Sequence, residues 1–390
     1  MKQKKDVLLL QRASKISKKI KARAKYYDAN PQYQKENFDL LKKESFLKLA
    51  IPKSIGGLEA PLSTILNTQI EIARGDASTA LGIGMHHIVC GYESESNLWS
   101  TKKRDRVFEL IISKNYLINN IASEEKLGSP KGGGKPQTKI YKDKNGILKL
   151  KGVKNWATLS TGLDLLIVYA YNSESKNLCR ILVNKNDDNI LINNSWDGLG
   201  MRSSESHEIK FDNTIVQNSN ILYEYSASKQ NNKIPFNAWF PLVIGSISLG
   251  IAIEARTKLL SFLTNRKPTG YKNTIGEIPF IKHQLGAIDS KIMISKNFLL
   301  NTADAWGNEK NRKKLIPYVI AAKRDATETG VYVTDLVMRL VGGIGLEKEN
   351  EFERLFRDAR SGLINPPIEA RALESIANSA LTNKDQNFLL

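Results

Sequence analysis

Side chains that move protons or face a flat conjugated ring gather at three places in this sequence. The first is the adjacent pair His86 and His87 in ALGIGMHHIVCGYE, in a chain with only four histidines. An imidazole titrates near neutrality, so one of the pair could serve a reacting centre, or both could be satisfied packing residues. The second is FRDARSGLINPPIEARALES, residues 356–375. There Arg357, Asp358 and Arg360 precede a double proline, and Glu369 follows it. The stretch reads as the seat of a carboxylate base or as a charged hinge between helices. The third is LKGVKNWATLSTG, where Trp156 and Thr158 stand two residues apart. An aromatic wall beside a short hydroxyl suits a flat π-system with a ring nitrogen, and equally suits a buried Trp in a barrel.

Other candidate chemistry falls away on spacing. Gly132, Gly133 and Gly134 in EEKLGSPKGGGKPQ invite a phosphate-cradle reading, yet no G-x-x-x-x-G-K-[ST] or G-x-G-x-x-G pattern is present, so the stretch reads as a loop. Cys90 and Cys179, far apart, give neither a disulfide framework nor a metal-ligand spacing. The formal charge of +18 would suit nucleic acid or an anionic surface, but lysines are scattered from end to end. No RNP-like, zinc-finger or basic-zipper pattern accompanies them, so no nucleic-acid partner is expected. At the N-terminus only Val7 to Leu10 are consecutively apolar, too short for a signal or a membrane span. The segment reads as a basic amphipathic helix packed on its own protein, and the chain as cytoplasmic.

The elements that must hold these residues fall into three zones. Residues 6–115 read as helical: PLSTILNTQIEIARG stops at Gly75, and Asp76 or Ser78 caps a following helix rich in small residues, central to a bundle. From 117 to about 225 short β-prone runs follow (YLINNIAS, GILKLKGVKNWA, DLLIVYAYN, CRILVNK), separated by Gly, Asn, Asp and Lys turns. From about 236 four long helical segments return, the first dotted with Gly245, Ser246, Ser248 and Gly250. The expected fold is α+β: an N-terminal helical domain (1–116), a middle antiparallel β-barrel or sandwich (117–230) and a C-terminal four-helix bundle (231–390).

Within that order the middle zone resembles the acyl-CoA dehydrogenase family. Gly152, Lys154, Trp156, Thr158 and Asp164 match its β-domain signature, and WDGLGMRSSESHEIKFDNTIVQNSNIL (196–222) is similar to its next conserved stretch. NIASE (120–124) resembles a flavin-contacting strand end, with Ser123 as the small hydroxyl residue. RKPTG (266–270) resembles an Arg-x-x-Phe-Gly turn, with Thr269 replacing Phe, and HQLGAIDSKI follows with His283 and Gln284. RLVGGIG (339–345) resembles a Gln-x-x-Gly-Gly-x-Gly stretch, with Arg339 where Gln is commoner, and RLFRDAR resembles the Arg-x-x-Arg-Asp segment.

The resemblance implies FAD, with Trp156 beside the flavin ring and Thr158 hydrogen-bonded to its reactive edge. It implies cofactor contacts from Ser123, Arg266, Gln284, Arg339, Gly342 and Gly343, the last ones partly donated by a second chain of a homodimer or homotetramer. It also implies a small-molecule substrate, an acyl thioester or an apolar organic compound, dehydrogenated at a CH–CH bond, with electrons passed to an electron-transfer flavoprotein. The family's usual catalytic Glu aligns with Pro366, and its alternative position with Phe240. Neither can take a proton. Glu369 is therefore the candidate displaced base. Loss of the base is also a feature of dehydrogenase-like flavin monooxygenases, which use reduced flavin from a reductase, and oxygen; in that branch His87 is the candidate catalytic residue. A catalytically silent binding or scaffold relative is the third alternative.

Overall fold

The computed structural model describes residues 2–127, 134–226 and 234–382. Most of the glycine-rich stretch, with Gly132 and Gly133, lies outside the described residues. The N-terminal part comprises α1 (Lys2–Ala29), α2 (Lys35–Lys43), α3 (Leu62–Gly75), α4 (Ala77–Ser96) and α5 (Thr101–Lys114). In α1 the buried residues Ala13, Ile16, Ile20, Ala24 and Tyr27 recur every three or four positions, which forms one apolar stripe. That stripe packs on α3, so the basic N-terminal helix does close on its own protein. Asp76 caps α4, its carboxylate accepting the Thr79 amide at 2.7 Å.

The middle part is a sheet of β1 (Ile118–Ile121), β2 (Lys139–Lys142), β3 (Leu148–Ala157), β4 (Leu165–Asn172), β5 (Leu178–Asn184), β6 (Ile190–Asn193), β7 (His207–Ile215) and β8 (Ile221–Tyr225). Its order is β6-β7-β3-β2-β4-β5-β8, with β1 also on β4. The sheet is mixed rather than wholly antiparallel. β1 lies along residues 165–168 of β4 and β2 along residues 171–172, end to end on one edge. One pass of chain, interrupted by the loop between them, therefore sets both strands parallel to β4.

The C-terminal part holds α6 (Trp239–Asn265), α7 (Pro279–Trp306), α8 (Arg312–Val341), α9 (Phe352–Ala359), α10 (Ser361–Ile364) and α11 (Glu369–Thr382). Helices α6, α7, α8 and α11 are the four segments expected; α9 and α10 are short additions carrying the Arg-Asp stretch. By length and composition α6 could cross a membrane, but it is wrapped by α3, α4, α7 and α8 and is the central core helix. Its small residues explain the close packing. A Cβ at Gly250 would stand 2.5 Å from the Ala73 Cβ of α3, and one at Gly91 of α4 would stand 2.3 Å from the Trp239 ring.

Candidate active site

A cavity of about 1080 Å³ opens where α4, the sheet and the start of α6 meet. Leu81, Met85, Ile88, Val89 and Tyr92 of α4 line it at helical spacing, giving an apolar floor. From the sheet come Ser123 just past β1, residues 155–157 of β3 and Thr158 just past it. Strands β4, β5 and β8 add Tyr169, Arg180, Tyr223 and Tyr225.

The β3 contribution depends on a bulge. Pairing with β7 slips between Lys154 and Ala157, and Trp156 adopts the left-handed φ of 56°. The slip turns the indole outward, leaving it 54% exposed on the cavity wall. Two residues on, the Thr158 hydroxyl lies 3.2 Å from Ser206 Oγ, which lies 2.8 Å from Ser204 Oγ. Asn119 donates to the Thr158 carbonyl at 3.0 Å. Beneath Ser123 a buried ion pair fixes the strand end: Lys154 Nζ meets Glu124 at 2.7 Å and the Ala122 carbonyl at 3.3 Å. Burial pulls the Lys154 ammonium down to about 8 despite its partner. Glu124 also accepts the Gln137 and Thr138 amides, which with Lys154 holds it below the usual carboxylate range even though burial, the largest influence, pushes upward.

The opposite wall comes from residues 357–366 and from Phe240. Lys323, buried on α8, donates to the carbonyls of Gly362, Asn365 and Pro367 at 2.9, 2.7 and 3.1 Å. One ammonium thus pins the double-proline loop. Arg357 clamps Asp28 of α1 at 2.6 and 3.1 Å and the Leu199 carbonyl at 2.9 Å. Asp358 accepts the Met201 amide at 2.6 Å, and burial pushes its carboxyl up to about 6. The Arg-Asp pair is therefore a three-way tie between α1, the middle part and the bundle.

The cavity wall also carries Glu93 of α4, 1% exposed. One of its oxygens accepts the Trp99 amide at 3.0 Å; the other is buried with no hydrogen-bond partner. Burial pushes its carboxyl up to about 7. The sequence reading missed this residue. Its one signal was a lone acid inside the small and apolar run HHIVCGYE.

Three family models match the chain: acyl-CoA dehydrogenase N-terminal domain over residues 8–96, middle domain over 120–214 and C-terminal domain over 241–365. A putative acyl-CoA dehydrogenase of Bacillus subtilis (strain 168), YdbM, is 30% identical over 95% of this chain and 96% of its own. The chain belongs to the acyl-CoA dehydrogenase family. Its fold is shared by butyryl-CoA dehydrogenase from Megasphaera elsdenii (TM-score 0.85, 20% identity, 96% of this chain and 98% of the other). It is shared as well by FMN-bound TdsC from Paenibacillus sp. A11-2 (TM-score 0.85, 21% identity, the same coverages). Relatives in sequence include the dibenzothiophene monooxygenase of Mycolicibacterium goodii, 22% identical over 88% of this chain and 86% of its own.

In this member of the acyl-CoA dehydrogenase family the structure brings Ser123, Trp156 and Thr158 to one cavity wall and Phe240 and Pro366 to the other. It does not bring His87 or Glu369 there. The His87 ring is fully buried, with Nε2 2.8 Å from the Phe46 carbonyl and Nδ1 3.0 Å from the Gln69 amide. Burial pulls it down to about 4, so it is a neutral packing residue between α4 and the turn after α2. His86 is similar, 2.8 Å from the Leu47 carbonyl. Glu369 opens α11 on the surface, bonded to Arg324 at 2.8 Å and outside the cavity lining that includes Pro366. Arg266, Gln284, Arg339, Gly342 and Gly343 lie on the bundle away from the cavity of their own chain, Arg339 paired with Asp335 at 2.9 Å.

Proposed function

We propose that the chain is an FAD-dependent oxidoreductase acting on a small molecule, and that it uses oxygen rather than dehydrogenating a thioester. One observation supports this above others. Phe240 and Pro366, the two positions where the resemblance expects a base, both line the cavity, and neither side chain accepts a proton. The residues present fit a flavin: an indole face turned into a large cavity, with the hydroxyls of Thr158, Ser204 and Ser206 grouped beside it. When bound, FAD would supply the electron transfer to substrate and oxygen.

This chain's residues do the remaining work. Trp156 would wall the ring and Thr158, oriented by Ser206, would hydrogen-bond its polar edge. The α4 floor excludes water from the reacting centre, which strengthens each polar contact made there. Arg266, Gln284, Arg339, Gly342 and Gly343 serve the cofactor of a second copy in a homodimer or homotetramer. Exposed Phe280, Met293 and Ile294 on α7 and Tyr332 on α8 are consistent with a covered face of the bundle. Electrons come from a cytoplasmic flavin reductase.

A second reading is favoured by Glu93. A cavity-wall carboxylate with a free oxygen and an affinity for protons near neutrality suits a displaced base for α,β-dehydrogenation, with an electron-transfer flavoprotein as acceptor. Anaerobic mixing of the FAD-loaded protein with a panel of acyl-CoAs separates the two. The yellow colour is expected to persist with every thioester. Bleaching by any of them overturns the oxygenase reading, and its loss in Glu93→Gln would then name the base.

A further inference from the structure

Arg180 occupies an unusual position in the sheet. It pairs directly with Tyr169 of β4 on one side and Tyr223 of β8 on the other, so the three side chains share one face. Leu178, two residues before it, pairs with Tyr225, which also points to that face. All four polar residues line the cavity, as does Tyr92 from α4. The guanidinium carbon lies 4.1 Å from the Tyr169 ring centroid, and the guanidinium donates to the Tyr223 hydroxyl oxygen.

No Asp or Glu among the described residues comes within ion-pairing distance of Arg180, although Glu93 lies on the same cavity wall. Its Nε and Nη1 are buried with no hydrogen-bond partner. Arg180 as a whole is half-buried, but a guanidinium cannot shed its charge, so two nitrogens closed off from water with no counter-ion are costly unless something else supplies the negative charge. Stacking on one tyrosine and a hydrogen bond donated to another offset only part of that cost. The remaining deficit opens on a cavity sized for a small molecule.

We propose that Arg180, framed by Tyr92, Tyr169, Tyr223 and Tyr225, is the subsite for an oxyanion carried by the substrate: a carboxylate, sulfonate or phosphate at the end of an apolar body. The planar fork accepts two anion oxygens at once, and the tyrosine hydroxyls supply further donors. The apolar body then runs over the α4 floor towards Trp156. This rests on the reading that the cavity holds the substrate, and it narrows that substrate to an organic anion.

The test is calorimetric titration of the flavin-loaded protein with hexanesulfonate, hexanoate and the neutral hexanamide, repeated on Arg180→Gln and Arg180→Lys. Coenzyme A is titrated alongside, to separate an anion on a small acid from one on a nucleotide tail. A preference for one of the anionic ligands over the amide of about ten- to a hundredfold is expected, collapsing in Arg180→Gln and partly kept in Arg180→Lys. Amide affinity unchanged between the wild type and the variants certifies that the cavity is intact. A yellow protein that binds amide and anions equally, or keeps its preference in Arg180→Gln, overturns the anion site and leaves the flavin reading standing. A colourless protein that still prefers the anion does the reverse.

Discussion

Glu93→Gln isolates the energetic consequence of a buried carboxyl on the cavity wall. Burial carries the Glu93 carboxyl from 4.5 to about 7. In the folded protein its ionised form is therefore disfavoured by about 3 kcal/mol relative to the unfolded chain. Between those two values the folded protein holds a proton that the unfolded chain has released. Stability must then fall as pH rises through the window, with the full penalty present above about 7 and none below 4.5. Gln keeps a carbonyl oxygen for the Trp99 amide and never ionises. The variant should match the wild type near pH 4.5 and exceed it by about 3 kcal/mol near pH 8, since every other titrating group is common to both. Urea unfolding at several values across that range reads the difference directly. Stability curves for the two proteins that run parallel over the whole range would refute the assignment, because a carboxyl that ionises normally contributes no slope.

Two other perturbations test the positioning elements. Lys323→Met leaves the carbonyls of Gly362, Asn365 and Pro367 without their shared donor, a loss of about 2 to 4 kcal/mol confined to the double-proline loop. Amide exchange should accelerate in residues 361–365 and at Ile368 before it does in α6, and unaltered exchange would deny the ammonium its anchoring role. The buried imidazole of His87, pulled down to about 4, gives the opposite pH dependence to Glu93. Here the unfolded chain binds the extra proton, so stability is complete above about 6.5 and is lost as pH falls towards 4. His87→Gln should flatten that acid limb, followed by tryptophan fluorescence; an identical acid midpoint would count against it.

What the sequence disclosed depended on whether a residue's role is local. The stripe along α1, the Gly75 stop with its Asp76 cap, and strands β3, β4 and β5 follow from periodicity and turn chemistry. The short strands β2, β6 and β8 escaped, since four or five partly polar residues carry too little pattern. The parallel setting of β1 and β2 escaped as well, because it depends on the line the chain takes past β4. Trp156, Thr158 and Ser123 were legible as a group through the resemblance, and one cavity wall holds all three. The histidine pair misled for a physical reason: polarity in a sequence shows that a group needs partners, not where they lie, and the carbonyls of Phe46 and Leu47 satisfy these rings. Glu93 and Arg180 are the converse case. Their significance is the buried atoms left without a partner, Glu93 Oε2 and Arg180 Nε and Nη1, which only the packed structure reveals.

The two walls of the cavity differ in chemistry. The sheet wall carries the bulge at Trp156 and the hydroxyls beside it, while the other wall presents Phe240 and Pro366, neither of which can accept a proton. That second wall is firmly held. Burying the Lys323 ammonium costs several kcal/mol of desolvation, which the three converging carbonyls help to offset, and Arg357 adds a clamp onto Asp28. Among the described residues the charged groups on the cavity surface are Glu93, Arg180, Arg357 and Arg360. Arg357 is committed to Asp28 and Arg360 lies over the Phe356 ring at 4.3 Å, so substrate choice and proton handling are to be sought first at Glu93 and Arg180.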